Sequence, residues 1–109
     1  MKQLITAVLD DHVITEEILS TLSKAGFNGT VIPSTSLKHT LENGGEIPMF
    51  MNLAHFESDR FENNTTLEII VDENKVEEVL SIIREKTEGF TACKGGMYVL
   101  PLPRFEGSF

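Results

Sequence analysis

The sequence contains no tryptophan, one tyrosine and one cysteine. A lone cysteine excludes an intramolecular disulfide and fits a reducing cytoplasm. Basic residues are scarce too: nine Lys and Arg stand against seventeen Asp and Glu, a net charge of −8. Nucleic-acid binding takes most of its affinity from a basic face and much of the rest from stacking aromatics. This chain has no basic cluster, and only one Tyr and no Trp for base stacking. An anionic membrane surface is disfavoured on the same ground. No apolar run approaches the ~20 residues that cross a bilayer. The opening "MKQLITAVLDD" has one Lys and a short apolar run that stops at two Asp, without a small-residue cleavage site. It reads as a first strand and not as a leader. Without an export signal, the sequons at Asn28, Asn63 and Asn64 carry no expected role. No internal repeat or low-complexity tract is visible.

What is present is ordinary for one globular domain over residues 1–109: 40% apolar and 24% charged residues. A chain of this size buries roughly 60–70% of its unfolded surface, enough for a core without staples. "KQLITAVL" is apolar on both faces, which predicts a central strand. In the next segment Asp10 or Asp11 can cap a helix. Ile14, Ile18, Leu22 and Ala25 form its apolar stripe and Gly26 its terminator, which predicts a helix over 12–25. "FNGTVIPS" reads as a second strand, marked as an edge or strand end by Pro33. "TTLEIIVD" is a stronger strand, with Leu67, Ile69 and Val71 on one face and Glu68 and Ile70 on the other. Asp72 is expected to cap a second helix on Val76, Val79, Leu80 and Ile83, stopped by Gly89. "GGMYVLPL" is the last strand.

Two β-α-β units with right-handed crossovers make a ferredoxin-like α+β sandwich: a four-stranded antiparallel sheet with both helices on one face. The other face is left open and greasy, so a partner chain is expected to cover it. Between the units lies a gap from Ser36 to Asn63, far longer than the usual loop limit of about 12–15 residues. It holds Gly44-Gly45, Pro48, two His and the apolar cluster "IPMFMNLAHF". It reads as a segment that orders on a ligand or partner, or as a loop packed on its own or a neighbouring subunit.

Catalytic patterns are missing: there is no nucleophile elbow, Walker loop, dinucleotide fingerprint or zinc-protease motif. The chain is therefore not expected to be an enzyme or to carry a cofactor. Acylphosphatase-type chemistry would place an acyl phosphate after the first strand, where Asp10 and Asp11 repel it. His12, His39 and His55 have no metal-ligand spacing, so no metal site is assigned. Cys93 reads as a small buried hydrophobe, or as a reactive thiol activated by Lys94. Three polar segments suit binding better. "TVIPSTS" supplies Thr30, Ser34, Thr35 and Ser36. "NNTT" supplies Asn64. "ACKGGMY" supplies Lys94, Gly95 and Gly96, a phosphate-compatible nest in which glycine lets the backbone approach a ligand. Each also has a plain reading as a turn or strand-end cap. In this fold the first and third can meet across a subunit interface.

The chain resembles the PII-like signalling proteins over nearly its whole length, nearest their cyclic-di-AMP receptor branch. The resemblance is carried by "KAGFNGTVIPSTS", "NNTTLEIIVDENKVEEVLSIIREK" and "GGMYVLPLPRFEGSF". Residues 36–63 correspond to a T-loop and 89–96 to a B-loop, here long and short where that branch has the reverse. The resemblance implies a cytoplasmic homotrimer with pockets between neighbouring subunits and an adenine nucleotide, cyclic-di-AMP included, as ligand. A target protein would be regulated through the long loop. By position, Thr30, Ser34, Thr35 and Asn64 match the pocket of the receptor branch. Lys94, Gly95 and Gly96 match a phosphate-holding B-loop, and Arg104 a C-terminal cation. Two alternatives stay open: a ligand-free interaction module docking through "IPMFMNLAHF", and a metal-binding trimer similar to the divalent-cation tolerance proteins. The latter would use His39, His55, Glu42, Glu46, Glu57 and Asp59.

Overall fold

The computed structural model describes residues 1–42 and 64–109, the side chains at 38, 39 and 42 excepted. The elements are β1 (Lys2–Leu9), α1 (His12–Lys24), β2 (Thr30–Ser34), α2 (Leu37–Glu42) and β3 (Asn64–Asp72). A 3-10 turn (Glu73–Lys75), α3 (Val76–Thr87) and β4 (Gly95–Leu102) complete them. The sheet runs β2-β3-β1-β4 with every neighbour antiparallel, the ferredoxin-like order. β1 is central, as its two apolar faces require. Pro33 and Pro101 fall on the two outer strands, β2 and β4, where a residue without an amide hydrogen is tolerated.

One face of the sheet carries the core. Ile5, Ala7 and Leu9 of β1 pair in register with Ile69, Leu67 and Thr65 of β3. Cross-strand partners share a face, and this one is buried against Ile18 and Leu22 of α1 and Val79 and Ile83 of α3. Val76 and Leu80 pack around the margin of that cluster. The opposite face pairs Leu4 with Ile70 and Leu100, and Thr6 with Glu68 and Tyr98. Among the described residues no helix covers it: Tyr98 is 54% exposed, Leu100 49% and Ile32 37%.

Local signals set the helix ends. The Asp11 carboxylate accepts from the Ile14 amide at 2.9 Å, so Asp11 is the cap and Asp10 is left for other work. α1 closes with a Schellman motif: Phe27 N–H donates to the Leu22 carbonyl and Gly26 N–H to the Ser23 carbonyl, with Gly26 at φ +90°. Two expectations shift. Asp72 precedes the second helix but makes no side-chain cap there; its carboxylate pairs with Lys2 Nζ at 3.2 Å across the sheet, and a 3-10 turn intervenes before α3. At the other end of α3 the left-handed backbone begins at Glu88 (φ 52°), one position ahead of Gly89 (φ 67°), and continues into Phe90 (φ 64°). Thr87, fully buried, closes this helix by donating to the Ile83 carbonyl at 2.8 Å and accepting from the Phe90 amide at 3.2 Å.

The segment expected as one long loop opens with helix: α2 occupies Leu37–Glu42, started by the Thr40 amide and hydroxyl on the Ser36 carbonyl. The remainder, with "IPMFMNLAHF", His55, Glu46, Glu57 and Asp59, lies outside the described residues. Among the described residues no helix is long and apolar enough to cross a membrane.

Ile83→Ala, which empties a fully buried site, is expected to lower the unfolding free energy by about 3 kcal/mol in a urea titration. Glu88→Gly, which relieves a left-handed residue bearing a Cβ, is expected to raise it by about 1 kcal/mol in the same assay.

Candidate functional site

One end of the sheet gathers most of the polar groups singled out in the sequence. The register there runs Gly96–Val8–Thr66–Ile32 across all four strands, with Ser34 opposite Asn64 one step further out. On the β2 side, Ser34 and Thr66 share a hydroxyl–hydroxyl hydrogen bond of 2.9 Å. Thr35 Oγ1 lies 3.4 Å from Thr40 Oγ1, which ties the strand end to α2. These hydroxyls come from three elements, β2, β3 and α2. The strand β2 delivers Ser34 because Thr30, Ile32 and Ser34 alternate onto the open face.

On the β4 side, the turn 93–94 is tied to the end of β1. The Asp10 carboxylate accepts from the Lys94 amide at 2.9 Å, and the Asp10 amide donates to the Lys94 carbonyl at 3.2 Å. The Cys93 thiol donates weakly to the same carboxylate at 3.5 Å and to the Lys94 carbonyl at 3.3 Å. Gly95 has φ +134°, and a Cβ there would run into the Val8 carbonyl, so glycine is required for β4 to close on β1. At Gly96 a Cβ would meet nothing, which leaves open space on the sheet's uncovered face. Cys93 is buried, and burial pushes its thiol above the ordinary value, with the nearby Asp10 charge acting in the same direction. The thiol is thus not activated by Lys94; the residue behaves as a small buried hydrophobe.

Ser34, Thr35, Ser36 and Asn64 therefore cluster at the β2 edge, and Lys94, Gly95 and Gly96 at the β4 edge of the same end. Three strand spacings, about 14 Å, separate the two groups within one chain. Thr30 sits mid-sheet opposite Glu68, about 13 Å along β2 from Ser34. Arg104 follows the far end of β4, where Leu102 faces Lys2, and pairs there with Glu106 at 3.4 Å; within one chain it does not join Lys94. Among the described residues no group of three or more His, Cys, Asp or Glu could hold a metal ion, and His12 stands exposed at the start of α1. The sequence reading missed Asp10 as a partner of the 93–94 turn. Its one local hint is a second Asp beside a residue that already serves as the cap.

The raised thiol has a pH consequence. Above about pH 8.5 an unfolded cysteine loses its proton while native Cys93 keeps it, so the unfolded state binds fewer protons and stability falls as pH rises. Urea titrations between pH 8 and 10 are expected to show a downward slope that is shallower in Cys93→Ala.

No family model matches the chain, and no curated protein matches it. Solved structures do. A protein of unknown function from Pediococcus pentosaceus superposes with a TM-score of 0.65 at 18% identity, covering 98% of this chain and 97% of that one. The PII protein of Arabidopsis thaliana, solved with citrate, superposes with a TM-score of 0.60 at 20% identity, covering 93% of this chain and 74% of that one. The chain has a PII-like, ferredoxin-like fold.

Proposed function

We propose that this chain is a non-enzymatic, cytoplasmic PII-like signal-transduction protein that binds a small anionic ligand between subunits of a homotrimer. The observation that carries this reading is the split of the polar groups: two clusters at one end of the sheet, on opposite outer strands and about 14 Å apart within a single chain. A second copy that sets its β4 edge beside the first copy's β2 edge unites them. The open face supplies a reason for copies to meet. Leu4, Ile70, Leu100 and Tyr98 form an apolar surface without a covering layer among the described residues, and burial of such area drives association.

In that arrangement Ser34, Thr35, Ser36 and Asn64 of one subunit face Lys94, Gly95 and Gly96 of the next, with Thr30 about 13 Å further along β2 at the rim of the site. Arg104 joins only from a neighbouring copy. The ligand is an adenine nucleotide by the resemblance of the polar segments to the receptor branch. The citrate in the Arabidopsis protein supports a small anion. Residues 36–63 begin at the β2 cluster through Thr35 and α2, so ligand contacts there bias the segment that would meet a target protein. The coupling follows where the ligand has different affinities for two conformations of the chain.

Isothermal titration with ATP, ADP, AMP and cyclic-di-AMP tests this directly. Binding of at least one, with hydrogen-exchange protection of residues 36–63 on saturation, is the expected result. No heat from any of the four, with unchanged protection, overturns the reading. Leu100→Asp, which places a charge on the open face without touching the core, is expected to dissociate the assembly in light scattering while leaving the far-ultraviolet circular dichroism unchanged. Ser34→Ala is expected to weaken ligand binding about threefold to tenfold, the worth of one hydrogen bond.

A further inference from the structure

The turn at 93–96 has the composition of an anion site, and the structure shows what already stands against it. The Lys94 amide, the donor that an anion at this turn would need, points at the Asp10 carboxylate 2.9 Å away. The Asp10 amide returns a bond to the Lys94 carbonyl, so two reciprocal contacts hold the carboxylate in place across 84 positions of sequence. The Cys93 thiol adds a third contact to the same oxygen. Asp11, next in sequence, is turned the other way and spends its carboxylate on the α1 cap. We propose that Asp10 is a specificity-determining residue: its carboxylate occupies the anion position of the 93–96 turn and excludes a multiply charged phosphate chain from it. This deepens the reading of that turn as the ligand-facing part of the site.

The physics is a competition for one position. An incoming phosphate oxygen meets an amide that is already satisfied, and a fixed negative charge a few ångströms away. A ligand presenting a hydroxyl, an amine or a singly charged phosphodiester there loses little, because a carboxylate accepts from donors and repels one charge less than several. The Lys94 side chain, exposed beside the turn, attracts the ligand as a whole without freeing the amide. The chain is thereby tuned toward singly charged or donor-bearing ligands and away from terminal di- and triphosphates.

The test uses inorganic phosphate and tripolyphosphate as probes, so it does not depend on which nucleotide binds. Amide signals of Lys94, Gly95 and Gly96 are followed by 15N–1H NMR in the full chain, in divalent-free buffer. Asp10→Asn keeps an acceptor for the Lys94 amide while removing the charge. Asp11→Asn makes the same change in net charge at a residue that keeps its cap. Tripolyphosphate is expected to bind at the three amides at least tenfold more tightly in Asp10→Asn than in wild type, with Asp11→Asn within twofold of wild type. Melting temperatures confirm that both variants remain folded. Asp10→Ala serves as the second charge-removing variant and is expected to show the same gain. Equal binding in wild type and both Asp10 variants, no binding in any, or an equal gain in Asp11→Asn each overturns the proposal. A nucleotide that binds by calorimetry without moving these amides leaves the ligand-sensor reading standing and removes this one. The tripolyphosphate gain in a protein that binds no nucleotide does the reverse.

Discussion

Burial of one face of β1 against two helices holds the rest of the molecule in place. Ile5, Ala7 and Leu9 must be dry, so Ile18 and Leu22 above one half of the sheet and Val79 and Ile83 above the other are required together. Both crossovers then lie on the same side. The strand order follows, with β3 and β4 paired to the two edges of β1 and β2 pushed outward. The other face of the same strand keeps Leu4 and Val8, and nothing in the chain is left over to cover it among the described residues. The core and the open face are therefore two outcomes of one strand's composition.

Placing the polar groups is a second outcome. Antiparallel pairing sends the end of β1, the start of β3, the end of β2 and the start of β4 to one end of the sheet. Hydroxyls from β2 and β3 meet there at hydrogen-bond distance, and the 93–94 turn closes on Asp10. Glycine at 95 serves the closing of two backbones first, since a side chain there would strike Val8. Any ligand contact at Gly96 uses space that this closure leaves free.

Much of this was legible in the residues. Helix periodicity placed α1 to within a residue or two and found the apolar stripe of α3, which begins three residues later than a cap at Asp72 implies, and alternation in "TTLEIIVD" sorted Leu67, Ile69 and Val71 from Glu68 and Ile70 onto the correct faces. Local caps at Asp11 and Gly26 were readable because a cap is a short-range device. The misses are long-range. Asp72 looked like a cap because an Asp before an apolar stripe usually is one, but Lys2, 70 positions away, claims its carboxylate. Asp10 and Lys94 are joined only by the topology. Of the two readings of Cys93, the small buried hydrophobe holds, because burial first and Asp10 second oppose loss of its proton. Thr30 and Arg104 were grouped with the other site residues by motif, and strand direction spreads them along the sheet. Helix α2 went unseen because Leu37–Glu42 is too short for periodicity to declare itself.

The two prolines on the outer strands carry a last consequence. Sheets with bare rims can join rim to rim and grow without end, as fibrils do. Pro33 and Pro101 blunt both rims. Growth by continuous strand addition is thereby discouraged at each border.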